Sequence, residues 1–382
     1  MSTLADGVRA GRVRAVAKAI TVIDEGGPEA ADLLTALWRG ASAATDDAGD
    51  AADVAAGCAA AGAASAAAAA GGAARGDPLS ESVRVIGITG APGAGKSTLT
   101  DLLIERYRQQ GLRVSVLAVD PSSPFTGGAV LGDRVRMNRH ALDAGCFIRS
   151  LGARGALGGL ARPARGAIRV LAAAGFDVIL LETVGVGQSE LDVMHVADTV
   201  ALVLTPAGGD QVQATKSGIM EIADLYVINK ADLPGSARLR HAIADMLHVR
   251  APDVASGGDL AGGVLGATSE GVASGTSEGQ WVPPVLEVSA SRAEGVEAMA
   301  AAVAAHGDYL RETGQLAQRR SRQRLQELRE RFRESLCLKA DRALVEEPAL
   351  MAIAEAVLER RVAVEVGVEQ LVALWEPRKA GS

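Results

Sequence analysis

Eight residues restrict the possible folds of this chain more than any others: Gly90-Ala91-Pro92-Gly93-Ala94-Gly95-Lys96-Ser97. They spell G-x-x-x-x-G-K-S, a phosphate-binding loop. The apolar run Val83-Arg84-Val85-Ile86-Gly87-Ile88-Thr89 leads in, and Thr98-Leu99-Thr100-Asp101-Leu102-Leu103-Ile104-Glu105-Arg106 leads out with a helical pattern. Glycines let the backbone curl with its N–H groups inward. The helix that opens near Thr98 adds its positive N-terminal end, so the turn suits an anionic phosphate chain. In such a loop Lys96 reaches the outer phosphates and Ser97 holds Mg²⁺ through its hydroxyl.

A strand–loop–helix of this kind needs a sheet behind it, and the chain supplies one. Strand candidates are 83–89, 113–119, 146–150, 176–182, 199–205, 225–229 and 284–288. Most are continuous apolar runs, as in Val178-Ile179-Leu180-Leu181, which suits strands covered on both faces. Helical segments separate them. The expected fold is therefore α/β, a mostly parallel sheet in a P-loop core, with helices before and after it. Residues 1–40 read as an N-terminal helical cap, with Val8, Val13, Val16, Ile20 and Ile23, then Leu33, Leu34, Leu37 and Trp38, near helical spacing. Residues 41–80 read as an Ala/Gly-rich linker, 81–292 as the core domain with a Gly/Ser-rich surface insertion at 252–281, and 293–382 as a C-terminal helical region. There Leu325, Leu328, Phe332 and Leu336 form one apolar stripe.

Composition narrows the class. Apolar residues are 48 % of the 382, enough for a large core, and aromatics only 3 %, so that core must be aliphatic. A net charge of −7 argues against general nucleic-acid binding. Cys58, Cys146 and Cys337 are isolated and odd in number, which fits free thiols in a reducing cytoplasm. The N-terminus lacks a secretory pattern, and the apolar-looking stretch 51–74 is Ala and Gly without Leu, Ile or Phe, so no membrane span is expected.

Asn229-Lys230-Ala231-Asp232 follows the strand Leu225-Tyr226-Val227-Ile228. N-K-x-D at a strand end reads guanine: the Asp carboxylate accepts from N1–H and N2–H₂, a pair of donors adenine does not present. Downstream of a phosphate loop it favours GTP over ATP. Ser289-Ala290, after the last strand, stands where a backbone N–H contacts the guanine oxygen in such proteins. Between these motifs lie three loop acids. Asp120 and Glu182 each end an apolar run, where carboxylates gather around Mg²⁺, while Asp133 taken alone reads as a solvated acid. Glu182-x-x-Gly185 stands where many GTPases have D-x-x-G, so the Gly185 N–H would bind the γ-phosphate and release it on hydrolysis.

Together, G-A-P-G-A-G-K-S-T, D-P-S-S-P-F-T-G-G-A-V-L-G-D-R, E-T-V-G-V-G-Q-S-E and N-K-A-D resemble the MeaB/ArgK family of P-loop GTPases, chaperones of adenosylcobalamin-dependent methylmalonyl-CoA mutase and related acyl-CoA mutases. The resemblance is strong over 83–250. It implies GTP/GDP and Mg²⁺ as ligands, Asp120, Asp133 and Glu182 in the Mg²⁺ and switch network, and 205–216 as a further switch facing the mutase. It also implies a homodimer formed by the C-terminal helices, with neither nucleic acid nor membrane as partner. The segments 41–77 and 252–281 are long for the family and leave the domain spacing open.

Lys96, Asp120, Glu182 and Gly185 are thus the expected catalytic set. No residue stands out as the positioner of the attacking water, since Gln188 lies three residues past Gly185. Arg134, Arg136, Arg149 and Arg154 lie near the switch without forming an obvious arginine finger. Slow intrinsic hydrolysis, accelerated by a partner, follows as an expectation. Three other readings compete: a protein kinase linked to transport, which lacks an H-R-D catalytic loop, a nickel metallochaperone, for which His and Cys are too scattered, and a degenerate scaffold, which the intact Lys96, Ser97 and Asp232 oppose. The Arg-rich segment 318–324 runs into alternating acids and bases and reads as a solvated helix face rather than a nucleic-acid patch.

Overall fold

A computed structural model describes residues 2–47, 79–121, 138–140, 142–153, 161–183, 192–206, 219–250, 276–277 and 280–375. Residues 1–321 form one compact unit and 322–382 a second.

The first unit is built on a seven-stranded sheet. Its strands are β1 (Arg84–Thr89), β2 (Val114–Pro121), β3 (Cys146–Ala153), β4 (Val178–Thr183), β5 (Thr199–Leu204), β6 (Leu225–Asn229) and β9 (Val285–Val288). All seven sequence-predicted strands are present. The order is β3-β2-β4-β1-β5-β6-β9, and every neighbouring pair is parallel. A separate two-stranded ribbon, β7 (Thr276–Ser277) with β8 (Gln280–Trp281), precedes the last strand.

The apolar runs make strands because both faces of the sheet are covered. Ile86, Ile88, Leu180 and Val203 pack against Leu99, Leu103, Ile104 and Tyr107 of α4 (Lys96–Gln109) and against Met299 and Val303 of α7 (Val296–Glu312). Val85, Leu117, Ile179 and Leu181 point to the opposite face. There they meet α5 (Ala161–Ala173) together with α1 (Ser2–Arg9), α2 (Val13–Glu25) and α3 (Gly27–Asp47). Farther along that same face, Leu239 and Ile243 of α6 (Ser236–Arg250) cover Tyr226 and Ile228. Of the N-terminal apolar residues, Val8, Val16, Ile20, Ile23, Leu33 and Leu37 are buried, while Val13 and Trp38 remain exposed. Val13 is the first residue of α2 and precedes its buried stripe.

The lower, N-terminal ends of the strands carry a pattern that local sequence reading did not pick out. Asp177, Asp198 and Asp224 each immediately precede a strand. Their Oδ2 atoms accept backbone N–H groups from neighbouring strands: Arg113 N at 2.7 Å, Val85 N at 3.0 Å and Val200 N at 2.8 Å, respectively. Two of these acids take arginines from the start of α8 (Gln315–Glu346). Arg319 donates Nη1 and Nη2 to the two carboxylate oxygens of Asp224 at 2.8 and 2.9 Å. Arg320 reaches both oxygens of Asp198, at 2.9 and 2.7 Å, and the carbonyls of Leu79, Ser80 and Val83. The expectation that segment 318–324 is a solvated face therefore fails at these two positions. Arg320 is only 5 % exposed, because bidentate carboxylate pairing offsets the cost of removing its charge from water.

His306 of α7 lies beside this network, with Nδ1 2.8 Å from the Thr199 hydroxyl and Nε2 3.4 Å from Asp224 Oδ1. Burial pushes its pKa down to about 4, against the opposing pull of Asp224. Trp281 packs at a tilt against His306 and Tyr309 and donates its indole N–H to the Asp224 carbonyl at 2.9 Å. The end of the presumed surface insertion is thus fastened to the core, while 251–275 lie outside the described residues.

In the second unit, α8 continues and is followed by α9 (Pro348–Leu358) and α10 (Val364–Trp375), which pack on each other. Leu325, Leu328, Phe332 and Leu336 are exposed along α8, as are Leu358, Val368, Val372 and Leu374 on the last two helices. No helix among the described residues is long and apolar enough to cross a membrane.

Candidate nucleotide site

The phosphate loop lies at the upper, C-terminal end of β1, the strand flanked by β4 and β5. In open α/β sheets this is where ligands bind. Two glycines are demanded by close approach. A Cβ on Gly90, whose φ is +136°, would stand 2.1 Å from the Val203 carbonyl oxygen, and one on Gly95, at φ +89°, would stand 2.2 Å from Asn229 Nδ2. The helix α4 opens directly at Lys96. Lys96 is 6 % exposed, and its ammonium donates to the carbonyls of Gly90 at 2.6 Å and Ala91 at 3.0 Å. It is folded back over the loop whose phosphates it would neutralise.

Ser97 Oγ donates to Glu182 Oε1 at 2.6 Å, and both residues are buried. The sheet register explains the meeting: Glu182 lies level with Ile88 on β1 and with Ala118 on β2. A hydroxyl and a carboxylate side by side at the phosphate loop form a hard-oxygen donor set, which fits Mg²⁺. One row higher, the hydroxyls of Thr183 and Thr89 are bonded at 3.0 Å, a tie between β4 and the residue before the loop that sequence reading missed.

The guanine-reading motif is wired into the same loop. Asn229 is 1 % exposed, and its Nδ2 donates to the Ala94 carbonyl at 2.8 Å. Its Oδ1 accepts from the backbone N–H groups of Lys230 at 2.8 Å and Ala290 at 3.1 Å. Lys230 has a positive φ of 59°, and its ammonium reaches the Gly93 carbonyl at 2.9 Å. Asp232 is held by the Ser289 hydroxyl, which donates to Oδ1 at 2.8 Å. That bond, more than any other group nearby, lowers the Asp232 pKa and keeps the carboxylate ionised. Phosphate loop, N-K-x-D and Ser289-Ala290 are therefore one hydrogen-bonded assembly, although the outer two are separated by about two hundred residues of chain.

With this geometry in place, the comparisons with known proteins are decisive. The family described as methylmalonyl Co-A mutase-associated GTPase MeaB matches residues 75–344. The chain belongs to the MeaB family. Among relatives, a Pyrococcus horikoshii protein is 45 % identical over 250 residues, covering 65 % of this chain and 72 % of its own. GTPase ArgK of Escherichia coli K12 is 38 % identical over 256 residues, covering 66 % of this chain and 70 % of its own. The mitochondrial methylmalonic aciduria type A homolog of Mus musculus is 48 % identical over 158 residues, or 41 % of this chain and 37 % of its own. A crystal structure of an LAO/AO transport system kinase superposes with a TM-score of 0.57 at 25 % identity, covering 97 % of this chain and 96 % of that one.

As a MeaB-family GTPase, the chain is a hydrolase of GTP. Of the expected site residues, the structure brings together the phosphate loop, Glu182, Asn229, Lys230, Asp232, Ser289 and Ala290. Thr98 is on the exposed side of α4's first turn. Asp120 is the penultimate residue of β2, two residues above the Ala118–Glu182 row; its side chain, like all of Asp133 and Gly185, lies outside the described residues. So do residues 207–216 of the expected switch at 205–216, and so do Gln188, Arg134, Arg136 and Arg154. Arg149 pairs with Leu117 on the face covered by the N-terminal helices, and its Nη2 donates to Thr21 Oγ1 of α2 at 2.9 Å.

Proposed function

We propose that this GTPase reports its nucleotide state to an adenosylcobalamin-dependent acyl-CoA mutase, gating the loading of intact cofactor and protecting the enzyme. The observation that carries the reading is the Ser97–Glu182 hydrogen bond, which fastens the switch strand to the phosphate loop at 2.6 Å. The family's association with methylmalonyl-CoA mutase supplies the partner class.

The mechanism follows from the chain's own groups. Lys96 transfers its ammonium from the Gly90 and Ala91 carbonyls to the outer phosphates, and the amides of 90–97 receive the remaining charge. Ser97 and Glu182 would hold Mg²⁺, with Asp120 and Asp133 completing the set, and the ion would supply positive charge to the phosphate oxygens. With its hydroxyl turned to that ligand, Ser97 would no longer donate to Glu182. The end of β4 therefore responds to what occupies the loop, and Gly185, three residues on, carries that response to the γ-phosphate.

Among the described residues no side chain is placed to orient water, which supports slow intrinsic turnover that rises when the partner orders the loops. Turnover by the isolated protein on the order of tens per second would refute this. The exposed apolar residues of α8, α9 and α10 are the surface by which two copies associate. The protein works in the cytoplasm. A pulldown from cell extract with GDP or a non-hydrolysable GTP analogue, comparing wild type with Lys96→Ala, tests the whole reading. Nucleotide-dependent capture of the mutase by wild type alone is expected, and capture indifferent to nucleotide would overturn it.

A further inference from the structure

The carboxylate that reads guanine has a competitor within its own chain. Asp232 Oδ1 is engaged by Ser289, and Arg292 Nη2 stands 3.9 Å from the other oxygen, Oδ2. The position of Arg292 is fixed by its loop. Ser289 and Glu294 exchange backbone hydrogen bonds at 3.0 and 3.1 Å, and Arg292 N donates to the Ser289 carbonyl at 3.1 Å. Ala293, at φ 56°, and the αL N-cap Gly295 close the turn into α7. Only the side chain of Arg292 is free to move, and it is 59 % exposed.

We infer that Arg292 is an intramolecular competitor for the guanine-reading carboxylate, pairing with Asp232 Oδ2 in the empty protein and giving it up when the base arrives. This rests on the reading of Asp232 as the guanine acceptor. A guanine base needs both carboxylate oxygens, one for N1–H and one for N2–H₂. The Ser289 hydroxyl shares Oδ1 without conflict, because a carboxylate oxygen has a second lone pair. The guanidinium near Oδ2 stands where the base's second N–H donor must come and has to swing out into solvent. At 3.9 Å the pair is a charge contact rather than a hydrogen bond, so displacement is easy. Its reverse is equally easy: as the base loosens, Arg292 recaptures Asp232 and hastens departure. The residue lowers resting affinity and speeds release, which suits a switch that has to empty.

The test uses the full chain with a fluorescent GDP analogue. Arg292→Ala is expected to bind GDP more tightly by roughly two- to five-fold, the range of an exposed ion pair, with most of the change in a slower off-rate. Arg292→Lys keeps the wild-type rate. Raising salt to about 0.5 M should shrink the difference between wild type and Arg292→Ala, since the contact is exposed to screening. Weaker GDP binding by Arg292→Ala would overturn the inference, because it would make Arg292 a favourable contact to the nucleotide. So would unchanged binding and release. A control separates this outcome from failure of the underlying reading. Asp232→Asn should shift preference from GDP to XDP, whose C2 carbonyl accepts from the new amide. In that background, adding Arg292→Ala should leave XDP affinity unchanged, since no carboxylate remains to be contested. If Asp232→Asn gains no XDP binding, the guanine assignment itself falls. If it gains XDP binding while Arg292→Ala does nothing to GDP, only the competitor falls.

Discussion

The two ends of the sheet are both polar and both bury charged groups, Arg320 and Asp198 at one and Lys96 and Glu182 at the other, yet they are built on opposite plans. At the lower end, acids meet arginines in closed pairs: Asp198 with Arg320 and Asp224 with Arg319. The Oδ2 atom of each acid also accepts a strand N–H group. At the upper end, charged groups rest on partners they can exchange. Lys96 and Lys230 sit on loop carbonyls, Ser97 leans on Glu182, and Asp232 holds a serine and a distant arginine. A buried charge pair is costly to break from one side, whereas a carbonyl releases an ammonium to a phosphate with little loss. The contrast distinguishes a place that holds the fold from a place that holds a ligand, even where burial is similar.

Arg320→Ala should break the lower end hardest. It leaves Asp198 buried without its guanidinium, and a loss of about 3–5 kcal/mol is expected in urea-induced unfolding. A loss below about 1 kcal/mol would mean the pair is not closed to water. At the upper end, Lys96→Ala should leave the unfolding midpoint nearly unmoved while lowering GTP turnover by about 10²–10³-fold, read as phosphate release. Equal damage to stability and turnover would erase the distinction between the two ends.

The lower end also predicts a pH dependence. The folded protein holds His306 neutral, with its pKa near 4, below the 6.5 of an unperturbed histidine. Between those values the unfolded chain binds more protons, so stability is complete above about pH 6.5 and falls as pH drops toward 4. Acidification from pH 7 to 5 should cost about 2 kcal/mol through this group, and His306→Asn should flatten that part of the curve. A smaller effect is expected at Ser289→Ala. It removes one hydrogen bond from Asp232 and should weaken GDP binding by roughly three- to ten-fold, measured by calorimetry, with little change in stability.

How much of this was legible in the sequence follows the same division. The seven strands were readable because parallel strands covered on both faces must be continuous apolar runs. The phosphate loop and N-K-x-D were readable because their spacing is set by a ligand of fixed shape. Contacts such as Arg320 with Asp198 were not readable. Their partners lie 122 residues apart, and an arginine run looks the same whether two of its members turn inward or none does. One local signal was present: Asp177, Asp198 and Asp224 each stand directly before an apolar strand. Recognised as a repeat, it marks the acids that tie strand starts together and points to a need for buried cations. The meeting of Ser97 with Glu182 was only half legible, since position at a strand end suggested proximity while the register that delivers it is a property of the folded sheet.

Asn229 carries a last consequence. Its amide supports the Ala94 carbonyl, orders Lys230 and holds the Ala290 N–H. It is a keystone shared by the phosphate loop and both base-reading loops, committed in three directions before any nucleotide arrives. Drift at this position is therefore closed to the lineage, because every replacement would dismantle the loop as well as the base pocket. Asp232, held by the Ser289 hydroxyl and not by the phosphate loop, can change its preference for one purine over another without dismantling that loop.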